Sequence, residues 1–126
     1  MQNRIAFLFL LGVVAAVASG CSSDWTYDKA SVTEASLKSL QNRTAEFEVI
    51  GMWGDTQGQF VRFDVTEFEN TIVVDMIGKT PQSGLHRPAA ISITGDLLIT
   101  VNDPGEYTIE FSTWNGEPLR TVVAFP

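Results

Sequence analysis

Length, composition and charge describe this chain as a small acidic protein. It has 126 residues, of which 15 are acidic and 8 are basic, and its formal net charge is −7. A length of this order suits one modest domain rather than two. The excess of negative charge argues against nucleic acid or anionic lipid head groups as partners.

The first twenty residues have the composition of an export signal. Arg4 is the only charged residue among them, and the run from Ile5 to Val17 has no charged or strongly polar side chain. A membrane-spanning helix needs about 20 consecutive apolar residues. The shorter run here, followed by small residues, therefore indicates a signal peptide rather than a membrane-spanning anchor.

A cysteine follows those small residues. The stretch Ala18-Ser19-Gly20-Cys21 resembles the lipobox of bacterial lipoproteins, in which the cysteine sulfur receives diacylglycerol and its freed amine is acylated. That family usually has Leu where this chain has Ala18. The resemblance implies removal of residues 1–20, a membrane anchor through lipid on Cys21 and a place in the bacterial cell envelope. If the host has two membranes, the outer one is expected, because Ser22 stands where a retention signal would place Asp.

Cys21 is the only cysteine of the chain, so a disulfide within the chain is excluded. A thioether to lipid would use this otherwise reactive thiol. The alternative is an ordinary secretory signal whose mature protein begins with a free cysteine.

The polar segment 21–43 is predicted to be the lipidated terminus and a tether. Ser31-Val32-Thr33-Glu34 has the spacing of a capping box, which predicts a short helix to about Gln41. Trp25 and Tyr27 lie close to the lipidated end. They either sit at the membrane interface or cover the base of the folded domain.

From Thr44 to Pro126 the hydrophobic period is two, and β-branched and aromatic residues dominate between turn-forming clusters. Residues 44–126 are therefore predicted to form an all-β domain, with a loop over 78–90. Residues 91–101 form either a hairpin or one bulged strand. The predicted strands are 45–53, 60–65, 70–77, 91–94 with 97–101, 107–113 and 119–125. The run 70–77 is the more continuously apolar one, which predicts a central strand that is covered on both sides.

Asn115-Gly116 predicts the turn of the last hairpin, because both residues tolerate positive φ. If these two residues form the whole loop, Tyr107 faces Ala124 and Ile109 faces Val122. One face of the pair is then apolar and the other mostly polar, as a half-buried antiparallel pair requires.

The turn before that hairpin contains Asp103, Gly105 and Tyr107 in the pattern Asp-x-Gly-x-Tyr. Here the chain resembles the immunoglobulin-like and fibronectin-type domains, in which this turn opens the penultimate strand. The resemblance implies an antiparallel β-sandwich of six or seven strands after the tether. It also implies a structural tyrosine corner, in which the Tyr107 hydroxyl binds nearby backbone.

Residues that could support catalysis are few. His86 is the only histidine, and no nucleophile-elbow pattern surrounds Ser83 to form a hydrolase triad with it. Zinc would need more His or Cys ligands than the chain has. No catalytic residue, metal or cofactor is therefore predicted. An enzyme or small-ligand carrier with a site near Lys79, His86 and Arg87 remains the alternative function.

The favoured function is a non-enzymatic binding, structural or inhibitor-type module that contacts an envelope protein or a glycan. Trp53 ends one predicted strand and Trp114 directly precedes the Asn-Gly turn. Tryptophan is enriched where proteins bind partners, so these two residues are the candidate contact site. Alternatively, each tryptophan folds back to close one end of the core.

Overall fold

A computed structural model describes residues 24–82 and 87–126, which form two β-sheets packed face to face. The prediction of an all-β sandwich is confirmed. No helix in these two ranges is long and apolar enough to cross a membrane. The strands are β1 (Trp25–Lys29), β2 (Ser31–Gln41), β3 (Thr44–Asp55), β4 (Gln59–Phe68), β5 (Thr71–Pro81), β6 (Pro88–Thr100), β7 (Gly105–Phe111) and β8 (Leu119–Phe125).

The smaller sheet has the order β2-β3-β6, and both of its pairings are antiparallel. The alternation of β3 determines which face is inside: Phe47, Val49 and Trp53 are buried, whereas Glu48 and Met52 face solvent. This period of two is the one that the sequence predicts for a half-buried strand.

The larger sheet is built around β5. β4 pairs with one edge of β5, and β1 and β7 pair with different parts of its other edge, with β8 next to β7. Ile72, Val74 and Met76 of β5 are buried, as expected of the predicted central strand. One pairing departs from the expected antiparallel pattern, because β5 and β7 run parallel.

Side chains of both sheets form one hydrophobic core. Phe47 of β3 and Phe111 of β7 meet edge to face across the sandwich, with ring centroids 5.8 Å apart. Tyr107 and Phe125 make a second edge-to-face contact at 5.4 Å between neighbouring strands of the larger sheet. Edge-to-face contacts of this kind add to the stabilisation from buried aromatic area.

The predicted helix over residues 31–41 is wrong, because this segment is strand β2 and pairs with β3 along its length. The capping-box residue Ser31 accepts a hydrogen bond at Oγ from the distant Trp114 amide at 2.9 Å instead of capping a helix. Val32 is buried in the core. Tertiary pairing thus overrides a local helix signal, and residues 25–41 belong to the sheets rather than to a tether.

The predicted register of the last hairpin is wrong by one residue. Tyr107 faces Val123, not Ala124, and Ile109 faces Thr121, not Val122. The reason is that the connection runs over residues 112–118 rather than through Asn-Gly alone. The Ser112 amide donates to Val74 of β5 and the Ser112 carbonyl accepts from Val32 of β2, which removes this residue from the hairpin ladder.

The predicted loop over 78–90 is shorter than expected. β5 continues to Pro81 because β1 pairs with its last residues, and β6 begins at Pro88. Of the two alternatives for 91–101, the hairpin is wrong, and the bulge expected of a single strand is absent. β6 is one strand without a bulge from Ile91 to Thr100, paired with β3 throughout.

Candidate functional site

The chain passes from the larger sheet to the smaller sheet at Ala30, between β1 and β2. An open cavity of about 290 Å³ lies beside this crossing. We call it the tryptophan cleft, because both candidate tryptophans line it. Its lining residues are Thr26, Asp28, Lys29, Trp53, Gly54 and Trp114.

Trp53 forms the buried wall of the cleft, with 7% of its surface exposed. Its Nε1–H donates to the Thr80 hydroxyl at 2.6 Å. A Cβ at Gly58 would come within 2.0 Å of the indole, and a Cβ at Gly78 would come within 2.7 Å of it. Glycine backbone therefore packs against the ring at both positions. Trp53 therefore closes one end of the core and is held in one position.

Trp114 forms the exposed wall, with 55% of its surface open to solvent. Its Nε1–H donates to the Lys29 carbonyl at 3.0 Å, and its amide donates to Ser31. A hydrogen bond within the connection 112–118 also stabilises this loop, because Asn115 Oδ1 accepts from the Glu117 amide at 2.8 Å. Trp114 thus presents a large apolar ring in a fixed orientation, with its polar N–H already satisfied.

Strand β1 supplies the polar rim of the cleft. The Asp28 carboxylate accepts from the Lys29 amide at 2.7 Å, and Lys29 Nζ lies 3.6 Å from an Asp75 oxygen. The lysine side chain is 60% exposed, so this ion pair adds little stability. One carboxylate and one ammonium group therefore border an otherwise aromatic surface.

A second cavity of about 310 Å³ adjoins the tryptophan cleft and shares Lys29 with it. Glu110 and Ser112 line this second cavity, and the Ser112 hydroxyl donates to the Asp75 carboxylate. Its surface is more polar than that of the cleft, because it lies over the outer side of the larger sheet. Lys29 therefore borders both cavities.

Thr26, Asp28 and Lys29 were not predicted as site residues, because the polar composition of residues 21–43 indicated a tether. A signal for a strand was present: Trp25, Thr26 and Tyr27 are residue types enriched in strands. The pairing partner of this strand, the end of β5, is distant in sequence, so local pattern alone did not identify β1.

The residues predicted to form a tyrosine corner do not line the cleft. The Tyr107 hydroxyl donates to the backbone carbonyl of Asp103 at 2.9 Å, and the tyrosine is 5% exposed. Gly105 has a φ of 136°, a conformation that side-chain-bearing residues rarely adopt. These three residues hold the turn that opens β7.

Two residues of the alternative site, Lys79 and Arg87, lie in the described part of the chain. Lys79 Nζ lies 4.0 Å from the centroid of the Trp25 ring. Arg87 is exposed, and its carbonyl accepts from the Thr56 amide at 3.2 Å. His86 and Cys21 lie outside the described residues. Within residues 24–82 and 87–126, no group of three or more His, Cys, Asp or Glu side chains is arranged to hold a metal ion.

Comparison of the chain with protein families, with curated proteins and with solved structures finds no match. Its functional interpretation therefore rests on the residues and geometry described above.

Proposed function

We propose that this chain is a bacterial cell-envelope lipoprotein whose β-sandwich is a non-enzymatic binding module. In this proposal, lipid on Cys21 anchors the protein and the tryptophan cleft receives an apolar side chain of a protein partner. The observation that carries the proposal is the meeting of Trp53 and Trp114, from opposite ends of the domain sequence, in one open cavity.

The state of Trp114 supports binding rather than a purely structural role. A tryptophan that serves only the core buries most of its ring, as Trp53 does, whereas more than half of Trp114 is exposed. Its hydrogen bonds to β1 and β2 restrain the ring before any partner arrives. Restraint of this kind lowers the entropy cost of binding.

The size and lining of the cleft support a protein side chain as the ligand. A volume of about 290 Å³ is near the lower limit of small-molecule sites, which span about 300–1,000 Å³. Aromatic anchors in small pockets with a charged rim are typical of the centres of protein interfaces. Asp28 and Lys29 provide both signs of charge for orienting the partner.

The alternative of an enzyme or ligand carrier near Lys79, His86 and Arg87 has less support. Lys79 pairs with Tyr27 across β1 and β5, whereas the cleft is lined by Thr26 and Asp28. Because alternate residues of a strand point to opposite faces, Lys79 lies on the outer face of the larger sheet with Tyr27, and neither residue lines the cleft.

The lipid anchor is tested by intact mass and membrane fractionation of the mature protein, with Cys21→Ser as the control. We expect the wild type to begin at Cys21, to carry the mass of a diacylglyceryl group and added acyl chain, and to remain with membranes. The variant should lose that mass. A wild-type protein that is unmodified and wholly soluble would contradict the anchor.

The cleft is tested with the lipidated protein in detergent as bait for solubilised envelopes of the host. Wild type, Trp114→Ser and the matched control Val122→Ser are compared, because Val122 is a similarly exposed apolar residue on the outer face of β8. The captured partner is then purified and its Kd is measured. We expect the Trp114 variant to bind about 30-fold or more weakly, the effect of losing about 2 kcal/mol, and Val122→Ser to bind normally.

Equal capture by all three proteins would contradict a role for the cleft. Capture that depends on Trp114 but is abolished by periodate treatment of the partner would identify a glycan and overturn a protein ligand. Melting temperatures of the three proteins show whether any loss of binding reflects unfolding.

A further inference from the structure

The outer side of β1 carries aromatic and basic groups on one surface. Trp25 and Tyr27 alternate along β1 with Thr26 and Asp28, so they face away from the sandwich interior. Tyr27 pairs with Lys79 across the strands and is 50% exposed, and the Lys79 ammonium lies over the Trp25 ring. We call Trp25, Tyr27 and Lys79 the β1 outer face.

Chain length places this face close to the proposed lipid anchor. Four residue steps separate Cys21 from Trp25, and a fully extended chain spans at most about 3.3–3.6 Å per residue. The Cα atoms of these two residues are therefore at most about 14 Å apart. The head-group region of each leaflet is about 5–7 Å thick, so the anchor keeps the start of β1 close to the membrane surface.

We propose that the β1 outer face docks onto the interfacial layer of the phospholipid bilayer and sets the orientation of the domain. Trp and Tyr are enriched at this layer because each has a large apolar ring and one polar group. The Lys79 ammonium lies 4.0 Å from the centroid of the Trp25 ring and adds a positive group for lipid phosphates at the same surface. This inference rests on the lipid anchor of the proposed function.

Aromatic contact rather than overall charge drives the docking. The chain carries a net charge of −7, so long-range attraction to anionic lipid is absent. The domain should consequently dock onto zwitterionic phosphatidylcholine, and 1 M salt, which shortens the screening length to about 3 Å, should leave docking in place. Docking also holds the tryptophan cleft near the membrane, because Thr26 and Asp28 line it from the opposite face of β1.

The test uses the mature lipidated protein in phosphatidylcholine liposomes that contain a head-group-proximal spin-labelled lipid. Because lipid occupies the sulfur of Cys21, one introduced cysteine is the only reactive thiol. A fluorophore at Gln59→Cys reports on the β1 outer face, since Gln59 is exposed and pairs with Lys79. The control is Leu98→Cys, which is 66% exposed on the outer face of the smaller sheet.

We expect spin-labelled lipid to quench the label at position 59 at least threefold more than the label at position 98. Trp25→Ser in the Gln59→Cys protein should remove at least half of that difference while circular dichroism shows the same fold. Equal quenching at the two positions, or quenching that is unchanged by Trp25→Ser, would overturn docking through this face.

Intact mass of the same samples separates this inference from the proposal on which it rests. A protein that lacks lipid overturns both the anchor and the docking. A lipidated protein with equal quenching at positions 59 and 98 overturns docking alone, and leaves the anchor and the tryptophan cleft standing.

Discussion

Replacing Gly78 by alanine tests how tightly Trp53 closes the core. A Cβ at this position would lie 2.7 Å from Trp53 Cζ3, 2.8 Å from Cε3 and 3.2 Å from the backbone oxygen of Gln59. Both the indole and strand β4 would have to shift. Overpacking of this kind costs about 1–3 kcal/mol, and the lower entropy of the unfolded alanine chain offsets about 0.4–1 kcal/mol. The expected net destabilisation is about 1–2 kcal/mol.

A matched control is available in the same part of the fold. Gly54 also lies in a strand, but a Cβ there meets nothing within 4 Å. Gly54→Ala should therefore leave stability unchanged or raise it by up to about 1 kcal/mol. For a domain of this size, the Gly78 variant should melt about 5–15 °C lower than wild type.

Urea unfolding of residues 22–126, followed by far-ultraviolet circular dichroism, measures both variants. A double-mutant cycle with Trp53→Phe isolates the contact, because phenylalanine lacks the outer ring of the indole. We expect Gly78→Ala to cost less than half as much in the Trp53→Phe protein. An equal cost in both backgrounds would refute the assignment of the strain to Trp53.

Two further substitutions test contacts on other parts of the sandwich. Tyr107→Phe removes only the hydroxyl that binds the Asp103 carbonyl, so it should destabilise the domain by about 0.5–1.5 kcal/mol in denaturant melts; no change would show that this bond adds nothing to the turn. Asp96→Lys turns a like-charge pair with Glu48, directly across β3 and β6, into an opposite-charge pair. It should stabilise the domain by up to about 1 kcal/mol at low salt and less at 1 M salt, and a gain independent of salt would exclude an electrostatic cause.

The strands with regular alternation were predictable because their signal is local. Phe47 and Val49 of β3 point inward, as their spacing predicts, and Glu48 points outward. Burial of one face is a property of each strand separately, so a window of a few residues reveals it. The central position of β5 was predictable for the same reason, because its apolar run is nearly continuous.

Pairing and register were less predictable because they depend on distant partners. The hairpin turn was expected at Asn115-Gly116, yet hydrogen bonds from Ser112 to β2 and β5 lengthen the connection and shift the register by one residue. Such a slip turns every side chain of one strand to the other face of the sheet. Val122 and Ala124, which were expected on the apolar face, are therefore exposed, and Val123 and Phe125 are buried instead.

The two tryptophans of the candidate site were also only partly predictable from the sequence. Both were identified from the sequence as strand-end aromatics, but the sequence left open whether each binds a partner or closes the core. The structure buries Trp53 and exposes Trp114. The difference arises because glycine backbone packs against the Trp53 ring, whereas the Trp114 ring is held by a hydrogen bond to the Lys29 carbonyl.

By itself, the sequence determined the all-β class, the inward face of β3 and the motifs from which a lipid anchor is proposed. These features depend on residue type and short spacing. Only the tertiary structure decided that residues 25–41 are strands, that β5 and β7 run parallel, and that β1 completes a cleft with both tryptophans. Those outcomes depend on backbone hydrogen bonds and packing between segments far apart in the chain, which a local pattern does not contain.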